Sequence, residues 1–113
     1  MKTIGTLRTA LFVPATRPDR VDKALKTGAD GVIMDLEDAV AHALKAEARA
    51  TAQKTIAEHA QRRLMVRVNA LGSGHNRKDL EAVVQPSLGS IMLPKVESAE
   101  HLQEVHRRLI DLE

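Results

Sequence analysis

Four short apolar runs divide the chain: Thr9-Ala10-Leu11-Phe12-Val13, Gly31-Val32-Ile33-Met34, Leu64-Met65-Val66-Arg67-Val68 and Ser90-Ile91-Met92-Leu93. Each is rich in branched or large apolar side chains and bounded by polar or turn-forming residues, the pattern of a buried strand. Between them the apolar positions recur with helical spacing over Pro18 to Lys26, Ala43 to about Gln61, Lys78 to Val84 and Ala99 to Leu109. Pro18 suits a first helical turn, Gly28 a helix C-cap, and Ser98 an N-cap ahead of Ala99-Glu100-His101. The predicted order is β-α-β-α-β-α-β-α. Strands alternating with single helices imply a parallel sheet with right-handed crossovers, either doubly wound or part of a barrel. Strand centres recur roughly every 20 to 35 residues, and eight such units make the ~250 residues of a (β/α)₈ barrel. Of such a barrel the 113 residues supply four units, and a four-strand piece leaves two sheet edges to be covered by more chain or by a partner.

Composition removes several function classes. Seventeen Lys and Arg stand against fifteen Asp and Glu, a formal charge of +2 with the signs interspersed. No basic block points to nucleic acid. Phe12 is the one aromatic residue, so neither a base-stacking platform nor a membrane aromatic belt is expected. Cysteine is absent, which excludes disulfide and thiol chemistry in this chain and fits a reducing compartment; the cytoplasm is the expectation. No apolar run reaches the ~20 residues of a membrane span, and the N-terminus lacks the apolar core of a secretory signal.

Candidate chemistry gathers at the ends of the strands. The second strand runs into Asp35-Leu36-Glu37-Asp38, at the C-terminal edge where barrels and open α/β sheets build their sites. Strand alternation sets Asp35 and Glu37 on one face and lets Asp38 begin the loop. These acids either serve a site or are solvated and cap the next helix. In Val66-Arg67-Val68-Asn69 the same alternation sends Arg67 and Asn69 opposite the valines, into the lumen of a barrel. An inward arginine needs an anion, and its planar fork suits a substrate carboxylate. An ion pair with Asp35 or Glu37 is the structural alternative, and both can hold at once. Lys95 and Glu97 place further charge at the end of the fourth strand, possible as a simple rim salt bridge. Gly72-Ser73-Gly74 lacks the helix-adjacent pattern of a phosphate cradle. The five histidines carry no metal spacing and read as surface residues, and no nucleophile motif supports acyl-enzyme hydrolysis.

Taken together, Leu11-Phe12-Val13-Pro14-Ala15, Gly28 through Val40, Val66-Arg67-Val68-Asn69 and Met92 through Ala99 resemble the citrate lyase β-subunit-like branch of the HpcH/HpaI aldolase family, along nearly the whole chain. The resemblance implies a (β/α)₈ TIM-type barrel, with residues 1–113 as the N-terminal half of its single domain. It implies a Mg²⁺-dependent, Claisen-type carbon–carbon lyase that interconverts a citryl-, malyl- or related thioester, such as one of coenzyme A, with an acyl-thioester and a 2-oxo acid. In such enzymes Arg67 matches the arginine that binds the oxo-acid carboxylate, and Glu37 and Asp38 match a pair beside the metal that assists proton transfer. Phe12, Arg17 and Lys23 fall where related lyases contact substrate or coenzyme A, although Ala15 replaces a common glycine and Thr16 a common acid; Asn69 and Lys95 are further substrate-binding candidates. The family's two Mg²⁺ ligands, from a Glu-Thr-Ala-like and a Gly-x-x-Asp-like block, belong to later strands. Neither block occurs in this sequence, so no metal ligand is expected here and the chain alone is expected to be inactive. A trimer or hexamer is the implied assembly. Two other classes stay open: a non-catalytic half-barrel that self-associates or binds a partner, and a metal-dependent 2-oxo-acid aldolase acting on free hydroxy acids without a thioester.

Overall fold

The computed structural model describes residues 7–59 and 64–113. Four strands, β1 (Ala10–Pro14), β2 (Gly31–Asp35), β3 (Leu64–Arg67) and β4 (Ser90–Met92), form one parallel sheet in the order β1-β2-β3-β4. Helices α1 (Pro18–Leu25), α2 (Lys45–Glu58), α3 (Asn76–Val83) and α4 (Ala99–Leu112) follow them in turn. Register is set so that Val13, Met34, Val66 and Ile91 lie side by side. That row points into the core with Val21 and Ala24 of α1, Ala48, Ala52 and Ile56 of α2, and Leu80 and Val83 of α3. Burying one such Val or Ile side chain stabilises the fold by about 1.5–3 kcal/mol.

Consecutive helices pack on one another, α1 on α2, α2 on α3 and α3 on α4. A doubly wound sheet instead carries helices on both faces. Here the winding runs in one sense only: strand order is sequential, and the opposite face carries the row Pro14, Asp35, Arg67 and Met92. Sequence patterning left the two architectures open; what the chain shows is four parallel strands in sequential order with each helix packed on the next.

The expected elements are all present, with shifted bounds. Pro18 begins α1, and Gly28, two residues past the cap at Lys26, takes φ +85. The second helix begins at Lys45 because His42–Leu44 form a 3₁₀ turn; its expected end near Gln61 lies outside the described residues. Helix α3 starts two residues before the expected Lys78, because the buried Asn76 donates to the Asn69 carbonyl at 2.8 Å and so anchors an extra polar turn. Ser98 caps α4, its hydroxyl accepting from the His101 amide at 3.4 Å.

Candidate active site

Asp35 closes β2 and is almost fully buried, at 1% exposure. Its carboxylate accepts four hydrogen bonds. Arg67, its lateral neighbour across the parallel register, donates from Nε to Oδ1 at 2.9 Å and from Nη2 to Oδ2 at 2.6 Å. The Glu37 and Ala39 amides donate to Oδ1 and Oδ2, each at 2.9 Å. Burial alone pushes the Asp35 carboxyl upward, but the guanidinium and the two amides outweigh it and hold its pKa below the ordinary value. The same pairing raises Arg67 further.

Asp35 therefore does two things: it aims a guanidinium, and it shapes the turn that follows the strand. That turn brings Glu37, itself buried, back toward Arg67, with Oε1 3.5 Å from Nε. The expected common face of Asp35 and Glu37 is thus realised around one arginine. Both alternatives for Arg67 remain compatible, because the ion pair occupies one edge of the fork while 23% of the side chain stays exposed. The half-exposed Phe12 lies against it, with Arg67 Cζ 4.7 Å from the ring centroid. This contact is a cation–π pair that sets one wall of the site.

Lys95 reaches the same cluster from the end of the sheet. Its Nζ lies 2.6 Å from Glu37 Oε2 and 3.8 Å from Asp38 Oδ1, so its partner is Glu37 rather than the neighbouring Glu97. The Glu37 carboxylate holds the Lys95 ammonium above its ordinary pKa. Lys95 is the one non-glycine residue with positive φ, at 54°, among the described residues. Such left-handed backbone is disfavoured by the Cβ, and here it turns the side chain back over the rim. The pairing with Glu97 expected from adjacency ignored this reversal.

Asn69 departs from simple alternation. It lies beyond the end of β3, and its amide nitrogen donates to the Leu36 carbonyl at 3.0 Å and to Asp79 Oδ2 at 2.7 Å. The buried Asp79 of α3 also accepts from the Asn69 main-chain amide at 2.8 Å, drawing Asn69 toward the helices. Arg17 precedes α1 and pairs with Asp19 at 3.0 Å, while Lys23 is exposed on α1. The structure brings Phe12, Asp35, Glu37, Asp38, Arg67 and Lys95 together, and does not bring Arg17 or Lys23 into contact with them.

Two further features escaped sequence reasoning. His75 Nε2 lies 3.2 Å from His42 Nδ1 across the loops that follow β3 and β2, and Arg49 Nη1 lies 3.4 Å from His75 Nδ1. His42 and His106 are surface residues as expected, whereas His59, His75 and His101 are half-buried. Lys45 is buried, with Nζ donating to the Leu36 and Glu37 carbonyls at 2.8 and 2.7 Å. Its place in the buried stripe Lys45, Ala48, Ala52, Ile56 was the signal available for it. Among the described residues no three His, Cys, Asp or Glu side chains converge as a metal-binding group; Asp35 and Glu37 are taken up by Arg67 and Lys95. These residues do not by themselves form a Mg²⁺ seat. Nor is any described helix long and apolar enough to cross a membrane.

The (3S)-malyl-CoA thioesterase of Cereibacter sphaeroides (strain ATCC 17029 / ATH 2.4.9) is 37% identical over 107 residues, covering 93% of this chain and 38% of the relative. The citrate lyase subunit beta-like protein of Mycobacterium tuberculosis is 44% identical over 98 residues, covering 87% of this chain and 35% of that protein. The crystal structure of a citrate lyase beta subunit from M. tuberculosis, complexed with oxaloacetate and magnesium, superposes with a TM-score of 0.70 at 43% identity; the match covers 85% of this chain and 42% of that one. The chain thus spans little more than a third of the length of the curated relatives it matches. The model of the HpcH/HpaI aldolase/citrate lyase family matches residues 8–111, and this chain belongs to that family.

Proposed function

We propose that the complete protein is a Mg²⁺-dependent carbon–carbon lyase acting on a citryl-, malyl- or related coenzyme A thioester, and that residues 1–113 are the N-terminal half of its (β/α)₈ barrel. The sequential parallel sheet with one helical layer supports the barrel, and the names of the relatives support the substrate class. The observation that carries the reading is Arg67: a guanidinium fixed on one edge by Asp35, walled by Phe12, and open on its other edge at the C-terminal rim.

In this reading the open edge of Arg67 binds the carboxylate of the 2-oxo acid and holds the reacting carbons in line. Cleavage removes the proton of the substrate hydroxyl and breaks the carbon–carbon bond. The electron pair passes to the α-carbon of the thioester, which is then protonated to give the acyl-thioester. Glu37 and Asp38, presented at the rim beside Arg67, hold and relay protons between substrate and solvent. Lys95, with Nζ 2.6 Å from Glu37 Oε2, orients that carboxylate and supplies positive charge near the incoming acid. Arg17 and Lys23 are proposed contacts to the thioester or its carrier arm, while Asn69, buried and bonded to Leu36 and Asp79, braces the rim from behind. The residues that would hold Mg²⁺ are proposed to come from later strands, and a bound ion there would supply Lewis-acid polarisation of the 2-oxo oxygen.

The test is turnover of malyl- and citryl-CoA by the complete protein with and without Mg²⁺, alongside Arg67→Ala. Losing one charge-assisted bidentate contact is expected to cut kcat/KM by about 10²–10³-fold. Wild-type-like oxo-acid affinity in Arg67→Ala would overturn the assignment. Activity on free hydroxy acids without coenzyme A dependence would move the protein to the aldolase class, and absence of any turnover would leave the non-catalytic half-barrel.

A further inference from the structure

The buried ammonium of Lys45 has no role in the account so far. A lysine inside a protein ordinarily meets a carboxylate. The hydrogen bonds of Lys45 go instead to two successive main-chain carbonyls, Leu36 at 2.8 Å and Glu37 at 2.7 Å. Both carbonyls are already engaged. Leu36 O also accepts from Asn69 Nδ2 at 3.0 Å, and Glu37 O accepts from the Val40 amide at 3.2 Å. The amides of the same turn are held from the other side, Glu37 and Ala39 by the Asp35 carboxylate and Leu36 by the Arg67 carbonyl at 2.9 Å. A charged group committed to two peptide oxygens that already accept other hydrogen bonds adds rigidity there rather than satisfying an orphan.

We infer that Lys45 is a positioning residue: by tethering the Leu36 and Glu37 carbonyls, it fixes the angle at which Glu37 presents its carboxylate at the rim. The inference rests on the lyase reading above. Lys45 touches no proposed substrate contact, since Arg67 is anchored by Asp35 and walled by Phe12. Its loss therefore leaves binding of the oxo acid intact and impairs turnover. Displacements of the order of 1 Å at a reacting group cost up to ~10²-fold in rate.

The experiment compares wild type, Lys45→Met, Glu37→Gln and the double variant in the complete protein, with kcat and KM measured separately and folding checked by circular dichroism. Expected for Lys45→Met is a kcat lower by about 10–100-fold with KM for the oxo acid within about twofold. Because Lys45 acts through Glu37, the double variant falls no further than Glu37→Gln alone. An unchanged kcat, or losses that multiply in the double variant, overturns the inference. If Lys45→Met fails to fold, Lys45→Arg decides. It keeps charge and donors on a longer, planar head, and is expected to lower kcat at least about fivefold at unchanged KM; wild-type kcat in Lys45→Arg also overturns it. A wild-type protein with no lyase turnover would instead remove the functional reading beneath the inference. The Lys45 tether would then be judged by exchange of the Glu37 and Ala39 amide protons, which accelerates in Lys45→Met if the tether holds the turn and is unchanged if it does not.

Discussion

Replacing Asp35 by Asn isolates how much the rim cluster holds the fold together. The substitution keeps shape but removes the charge facing Arg67 and turns one accepting oxygen into a donor. Each Asp35 oxygen faces one guanidinium nitrogen and one amide. Whichever way the new amide lies, its NH₂ therefore meets donors with nothing to accept from it. Breaking a buried ion pair by removing one partner costs about 3–5 kcal/mol. Because Arg67 is nearly a quarter exposed and keeps Glu37 within 3.5 Å, the low end applies, about 3 kcal/mol, or roughly a 150-fold change in the folding equilibrium. With a urea m-value of about 2–3 kcal/mol/M, the unfolding midpoint of the complete protein falls by about 1–1.5 M. Asp38→Asn, on an exposed side chain, is the control and shifts stability by less than about 0.5 kcal/mol. The depressed pKa of Asp35 fixes the pH behaviour. Its contribution is fully present above the unfolded aspartate value near 3.9 and lost as pH falls through the lower folded value, so the acid limb of the stability profile flattens in Asp35→Asn. Equal midpoints for the two variants would refute the view that Asp35 is the structural anchor of the rim.

The left-handed backbone at Lys95 (φ 54°) separates stability from activity: Lys95→Gly is expected to keep a thermal midpoint near wild type while kcat falls, whereas Lys95→Val lowers the midpoint clearly. Calorimetry on both variants checks this, and equal midpoints would show that the backbone there carries no strain. Burial depresses the pKa of His75, with His42 on one loop, Arg49 and Lys45 on α2 acting in the same sense and Asp79 on α3 opposing. The unfolded chain takes up that proton near pH 6.5 and the folded one resists it. Stability is therefore full above about pH 6.5 and declines as pH drops below it, and the decline flattens in His75→Gln. Thermal midpoints of both proteins from pH 7.5 to 5.5 provide the measurement, and parallel curves would sink the idea.

The four strands were legible because strands of a parallel sheet covered by helices read as unbroken apolar runs, ended here by Asp35-Leu36-Glu37-Asp38 or Pro94. Arg67 was legible for the same reason: a charge inside such a run has to be met. Partners were less so. For Lys95 adjacency offered only Glu97 as a salt-bridge alternative to a substrate role, whereas the left-handed backbone there accompanies a pairing with Glu37, 58 residues away. The start of α3 hid in polar residues because Asn76 is anchored by the Asn69 carbonyl seven residues before it and by Arg108 of α4, 32 residues after it. Lys45 sat in an alanine-rich helix where small side chains blur the boundary between buried and exposed faces, and only its register with Ala48, Ala52 and Ile56 marked it. His42 and His75 lie 33 positions apart, beyond any local pattern.

The sequential strand order also dictates when the rim can come into being. Asp35, Arg67 and Lys95 are contributed by three successive β/α units, and each unit docks chiefly on the one before it. Emerging from the ribosome, the chain can lay down these units in turn, every addition finding its neighbour already in place. Asp35 gains its guanidinium partner from the unit after its own, and Glu37 gains Lys95 from the unit after that. Docking of each later unit thus adds charge pairing to the apolar contacts it makes, so the rim is complete only when the fourth unit is in place.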